Sequence, residues 1–178
     1  MQPREEKELV EACIRNDRLA QRELYDRYAR LMMAVCLRYI GDEVSAQDVL
    51  QEAFIKVFAA LPTFAGSGSL EGWIRRIVVN TTLETLRKSD VMRDTAGIED
   101  AEMAVSTEAG VMERLSAEDL MGMIAALPAG FRTVFNMYAI EGYSHKEIAD
   151  ILGISEGTSR SQYNRARNLI QRKIQEMQ

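Results

Sequence analysis

Apolar side chains recur at spacings of three and four along most of this 178-residue chain. That period predicts α-helices, and no stretch of two-residue alternation is long enough to predict a strand. Leu24, Tyr28, Leu31, Val35 and Tyr39 make one stripe, which Gly41 and Asp42 interrupt. Ser45-Ala-Gln-Asp48 has the form of an N-terminal cap and opens a second helix, in which Val49, Ala53, Val57 and Leu61 share a face. Pro62 ends it. A loop of small residues, Phe64-Ala-Gly-Ser-Gly-Ser69, leads to a third helix that begins at Leu70. That helix carries Trp73, Ile74, Ile77, Val78 and Thr81 on one side and runs out at Arg87-Lys88.

The pattern then lapses and returns at Met112. Leu120, Ile124 and Leu127 predict a short helix stopped by Pro128, and Phe131, Phe135 and Tyr138 predict another that ends near Gly142. Ser144-His-Lys-Glu147 is a capping box, with Ser at the cap and Glu three residues later. Gly153 suits the left-handed turn that closes the helix opened there. Ser155 caps a last helix, with Tyr163, Ala166, Ile170 and Ile174 on its inner side. The expected architecture is all-α: two small helical domains, residues 1–88 and 112–178, joined by residues 89–111, with a helix-turn-helix in the second domain.

Charge changes this picture only when its distribution is followed. The chain is acidic overall, with a formal charge of −5 and an isoelectric point near 5.1, which by itself argues against nucleic acid as a partner. But Asp90, Asp94, Glu99, Asp100, Glu102 and Glu108 face a single Arg93 between Ser89 and Gly110, so this one stretch carries as much net charge as the whole chain. With no aromatic residue and little periodicity, it is expected to be a flexible acidic linker. Residues 156–174 have the opposite bias, with Arg160, Arg165, Arg167, Arg172 and Lys173 against Glu156.

The chemistry-bearing residues exclude several classes. His145 is the lone histidine, so the usual general base and most metal triads cannot be assembled. No phosphate-cradling GK[ST] loop is present. Neither a catalytic set, a metal nor a cofactor is expected, and an enzyme is the least favoured class. Cys13 and Cys36 fit helix interiors as small hydrophobes better than a disulfide or metal pair. Leu31–Leu37, the longest apolar run, is flanked by Arg30 and Arg38, and the amino-terminal residues are charged. Membrane insertion is therefore not expected, and a reduced, cytoplasmic location is.

Three surfaces are candidates for binding. The outer side of the last helix offers Arg160, Ser161, Gln162, Asn164, Arg165 and Arg167, the side-chain types that fork onto guanine, pair with adenine or meet phosphates. Ala149 and Gly153, four apart, fit the close crossing and tight turn of a helix-turn-helix. The loop from Phe64 to Ser69 and the following Trp73, Arg75, Arg76 and Asn80 could admit and stack an extruded base, although Trp73 taken alone suits a core position better than a stacking platform. In Asp48–Lys56, the pair Phe54 and Ile55 rimmed by Asp48, Gln51, Glu52 and Lys56 suggests either a protein partner or an ordinary surface helix. His145 is expected to be exposed in the first turn of its helix, near a phosphate.

Taken in order, AQDVLQEAFIKVFAALPTF, LEGWIRRIVVN and EGYSHKEIADILGISEGTSRSQYNRAR resemble the extracytoplasmic-function (group 4) branch of bacterial sigma-70-family sigma factors, over nearly the whole chain. The resemblance implies a factor that binds core RNA polymerase and directs initiation at promoters with −35 and −10 elements. Asp48, Gln51, Glu52, Phe54 and Lys56 match the helix that binds the polymerase clamp. Phe64, Gly66, Ser67, Gly68 and Ser69 match the loop that captures a flipped base of the −10 element, with Asn80 beside it and Trp73, Arg75 and Arg76 available for melting. Thr158, Arg160, Ser161, Gln162, Asn164 and Arg165 match the −35 recognition surface. Ser159 occupies a position that helix-turn-helix modules usually fill with Val.

The acidic linker would thread through polymerase toward the RNA exit path. Its residues span at most roughly 70 Å extended, about the separation of two DNA elements two turns apart at roughly 34–36 Å per turn. Implied partners are core RNA polymerase, promoter DNA and an anti-sigma factor or other recruiting protein, with the free chain a monomer. A one-component helix-turn-helix regulator is the alternative. It predicts tight, symmetric DNA binding by the chain alone.

Overall fold

The computed structural model describes residues 4–88 and 116–177. The expected acidic linker, and the return of periodicity at Met112, lie outside the described residues. The elements are α1 (Glu6–Ile14), α2 (Arg18–Ile40), α3 (Glu43–Ala60), a 3-10 turn (Leu61–Thr63), α4 (Leu70–Lys88), α5 (Ala117–Ala125), α6 (Ala129–Phe135), a π-helical segment (Asn136–Ile140), α7 (His145–Leu152) and α8 (Glu156–Glu176). No strand occurs among the described residues. The chain divides into two compact units, Met1–Thr85 and Leu86–Gln178.

In the first unit α2 packs against α3, and α1 against α2 and the 3-10 turn. Asp17 caps α2 by accepting from the Leu19 and Ala20 amides, which hold its carboxyl below the usual range, the Ala20 bond first. Gly41 ends α2 in the left-handed conformation. The buried stripe is Leu24, Tyr28, Met32, Val35 and Tyr39. Leu31, expected in that stripe, is exposed: Met32 continues the four-residue step from Tyr28 and takes the inward place. α3 begins before Ser45, because Asp42 is its cap and accepts from the Ser45 amide at 2.8 Å. Val49, Ala53, Val57 and Leu61 are all buried.

α1 is signalled in the sequence pattern only by the helix-like surroundings of Cys13, without bounds. Its buried side is only Leu9, Val10, Ala12 and Cys13, and Arg4 ties its start to α2 through Asp17 at 3.2 Å and Glu23 at 3.6 Å. Cys13 and Cys36 are free and buried, and burial pushes both thiols up to about 11.

The second unit has its core in Met123, Ile124, Leu127, Phe131, Ala166 and Ile170, with Phe135, Leu169 and Ile174 against it. α5, α6 and α7 all pack on α8. Ser116 caps α5 with a capping box completed by Asp119. Helix α6 does not stop at its seventh residue but widens into the π segment, and Gly142 ends it at a φ of +79°. A π turn carries one extra residue, so the side chains beyond it are rotated relative to a continuous α-helix.

Candidate nucleic-acid interface

The helix-turn-helix is built as its punctuation requires. Ser144 Oγ accepts from the Glu147 amide, while Glu147 Oε2 accepts from the Ser144 amide at 2.8 Å. Gly153, at φ +68°, donates its amide to the Ala149 carbonyl. Ser155 then caps α8 by accepting from the Thr158 amide at 2.9 Å. Ala149 is buried where α7 packs on α8. The two helices are therefore joined by a short turn with both helix starts satisfied, leaving the first turns of α8 outward.

Arg160, Ser161, Asn164 and Arg167 are exposed, and their spacing puts them along one strip of α8. Arg160 pairs with Glu156 one turn before it. Thr158 is exposed, with its hydroxyl sharing a hydrogen bond with Ser155 Oγ. Two residues expected on this surface are not fully on it. Gln162 is half-buried, with Oε1 shut away from solvent, because its direction on the helix is toward Ala166. Arg165 is half-buried on the flank of the strip.

His145 also departs from expectation. It opens α7 but is half-buried, not exposed. Its Nδ1 lies 2.9 Å from Ser159 Oγ, and its ring stacks on Tyr138 with centroids 4.2 Å apart. Ser159, which the sequence marks only as unusual, is completely buried.

In the first unit, Gly66 and Gly68 take φ values of +71° and +93°, so the small-residue loop turns sharply twice where side chains would be strained. Phe64 rests on Trp73 with centroids 5.3 Å apart. Trp73 is thereby half-buried and keeps an open side. Arg76 and Asn80 are exposed and follow Trp73 at spacings of three and four, on its side of α4. Arg75 is half-buried and, two positions from Trp73, points away from that side. A cavity of about 450 Å³ lies between the loop and α1, lined by Phe64, Ala65, Gly66, Glu6, Glu11 and Ile14. The sequence pattern gives α1 no bounds and so gives no sign of this wall.

The α3 surface corrects one assignment outright. Phe54 is 3% exposed and makes an edge contact with Tyr25 at 4.8 Å. It belongs to the core, because its helical direction falls beside Leu50, Ala53 and Val57. The outward apolar residues are Ile55, 70% exposed, and Val44, 77% exposed. Val44, Asp48, Gln51 and Ile55 are spaced four, three and four apart and form one exposed row, with Glu52 beside it. The spacing that picks out Val44 is in the sequence, but the cap-like Ser45 points to a helix start after it. Lys56 is half-buried and bonded to Glu84 of α4 at 2.7 Å and to Glu52 at 3.0 Å. Glu84, then Glu52, hold its ammonium above the ordinary lysine range against the opposing effect of burial.

Among the described residues no helix is long and apolar enough to cross a membrane, and no cluster of metal-binding side chains occurs.

Comparison with known proteins accounts for both halves. Residues 24–91 match Sigma-70 region 2, and residues 117–170 match Sigma-70 region 4. The chain is 31% identical to the RNA polymerase sigma-H factor of Pseudomonas aeruginosa, over 96% of this chain and 94% of that one. It is 32% identical to the ECF RNA polymerase sigma-E factor of Escherichia coli K12, over 94% and 93%. Among solved structures, its fold is similar to that of the sigma factor RpoE in complex with the anti-sigma factor NepR from Bartonella quintana. That likeness has a TM-score of 0.51 at 22% identity, covering 87% of this chain and 96% of that one. With the two regions in order and relatives aligned nearly end to end, the chain belongs to the extracytoplasmic-function branch of the sigma-70 family, sigma factors that bind core RNA polymerase and recognise promoters.

Proposed function

We propose that two domains divide promoter recognition between them, residues 1–88 serving polymerase and the −10 element and residues 112–178 the −35 element, with 89–111 as the acidic connector. The exposed row Val44, Asp48, Gln51 and Ile55, with Glu52 and Lys56 alongside, is the polymerase-docking face. Two bare apolar side chains rimmed by polar ones are what a protein partner covers. The Phe64–Ser69 loop, with Trp73, Arg76 and Asn80, takes up an extruded base of the −10 strand. Extrusion costs a few kcal/mol of stacking, which contacts in the loop must offset. α8 reads the −35 element through Arg160, Ser161 and Asn164, while Arg165, Arg167 and Thr158 meet the backbone.

The observation that carries this reading is the capped helix-turn-helix with a basic, amide-bearing strip on its second helix. The factor has no chemistry of its own, acts in the cytoplasm, and is restrained by an anti-sigma factor, as RpoE of Bartonella quintana is bound by NepR. Its net negative charge keeps binding to DNA weak until polymerase supplies the remaining phosphate contacts.

Run-off transcription with core polymerase on a library of randomised promoters is the test. An asymmetric bipartite site, read only with core enzyme present, is expected. Tight binding of the chain alone to a symmetric site, without promoter-specific transcripts, would favour a one-component regulator.

A further inference from the structure

His145 is held by three side chains from two elements. The hydroxyl of Ser159, in the second turn of α8, lies 2.9 Å from Nδ1 and shares a hydrogen bond with it. Tyr138, from the π segment, lies parallel to the imidazole within 11°. Tyr163, one turn beyond Ser159, presents an edge contact at 5.9 Å and itself packs on Tyr138 at 4.6 Å. Phe135 stacks on the Tyr163 ring at 5.8 Å and extends this aromatic group toward the core. Ser159 is wholly buried, and a buried hydroxyl left without a partner is costly. The contact between α7 and the recognition helix thus includes a polar bond set among aromatic rings.

The charged groups facing the imidazole are Arg160 and Glu156 of α8, besides the phenols of Tyr138 and Tyr163. Burial, and then the Arg160 cation, lower the imidazole's pKa below the ordinary histidine value, with Glu156 opposing.

We propose that His145 is a positioning residue for promoter recognition: as a neutral ring clamped by Tyr138 and Tyr163, it holds Ser159 and so sets how α8 presents Arg160, Ser161 and Asn164 to DNA. This rests on α8 being the −35 reader. A folded-state pKa below the unfolded one means that the neutral contact is complete above the ordinary histidine pKa and is lost as pH falls through the lower, folded-state value. Protonation would set a second cation beside Arg160 and disturb the clamp. An exposed histidine touching phosphate would do the reverse, since its protonation adds a favourable charge.

The test uses polymerase reconstituted with the full chain, and reads affinity for promoters with intact and mutated −35 elements from about pH 7.5 down to about pH 5.5. Discrimination between the two promoters is expected to fall on acidification for the wild-type chain and to stay flat for His145→Gln, which keeps a neutral hydrogen-bonding group. At the upper pH, Ser159→Ala and His145→Ala should each lose about two- to tenfold in −35-dependent affinity, the worth of one hydrogen bond. The double variant should lose no more than either alone. Because the chain has one histidine, its imidazole proton resonance reports this titration directly, and a midpoint below the ordinary value is expected.

Stronger binding at low pH, additive losses, or a midpoint at or above the ordinary value overturns the proposal while leaving α8 as the −35 reader. Arg160→Ala separates the two ideas. If it and the other variants all leave −35 discrimination intact, α8 does not read that element and the positioning role falls with it.

Discussion

Phe54 and Ile55 are neighbours in sequence with opposite surroundings, and truncating each to Ala tests the division between core and docking face. Phe54 is 3% exposed and packs against Tyr25 at 4.8 Å and Phe58 at 6.1 Å. Removing a ring from such a site costs about 3–5 kcal/mol, through lost transfer energy and the cavity left behind. For a unit of this size each kcal/mol moves the melting temperature by about 4–8 °C, so Phe54→Ala should lower it by more than about 10 °C. Ile55→Ala should leave stability within about 0.5 kcal/mol, as exposed substitutions do.

At the polymerase the order reverses. Ile55 has 70% of its surface still to cover, and complete burial of such a side chain contributes about 1.5–3 kcal/mol. Covering that fraction gives about 1–2 kcal/mol, or about 5- to 30-fold in dissociation constant. Thermal melts of the full chain supply the first quantity, and competition against labelled wild-type chain for core polymerase supplies the second. A stable Phe54→Ala chain that fails to bind polymerase would refute the reasoning. So would an Ile55→Ala chain that unfolds, or one that binds as tightly as wild type.

The other expectations are independent of that face. Gly66→Ala and Gly68→Ala meet no steric neighbour, so each should cost only the strain of positive φ, about 1–2 kcal/mol. They should slow strand opening in permanganate footprints while polymerase binding persists, and normal opening would reduce the loop to a connector. Pro at either position is incompatible with the φ observed there, and would report misfolding rather than rigidity. Arg160→Ala should cost about 1–3 kcal/mol at matched −35 sites and relax preference at one base pair, whereas Arg165→Ala should weaken all sites alike and reduce the salt slope by about one. Stability should also decline as pH rises from 9.0 toward about 11, because unfolded Cys13 and Cys36 ionise before the buried thiols do. Denaturant melts across that interval should show a smaller decline for Cys36→Ala.

The sequence by itself determined the features set by local chemistry. Side-chain caps act within four residues, so the Ser144–Glu147 capping box and the Ser155 cap on the Thr158 amide could be placed without any partner helix. Gly153 marked its own left-handed turn, and the order of motifs carried the family likeness. Tertiary structure decided which of two adjacent apolar residues turned inward: Met32 rather than Leu31, and Phe54 rather than Ile55. A 3.6-residue period leaves about one position of freedom at the edge of a stripe, and only the packed neighbour removes it. The bounds of α1 needed the rest of its unit, since its few buried positions gain their burial from α2 and the 3-10 turn. The bond between His145 and Ser159 joins positions 14 residues apart. No local spacing encodes that meeting; the π segment that delivers Tyr138 and the close α7–α8 packing on either side of Gly153 bring it about.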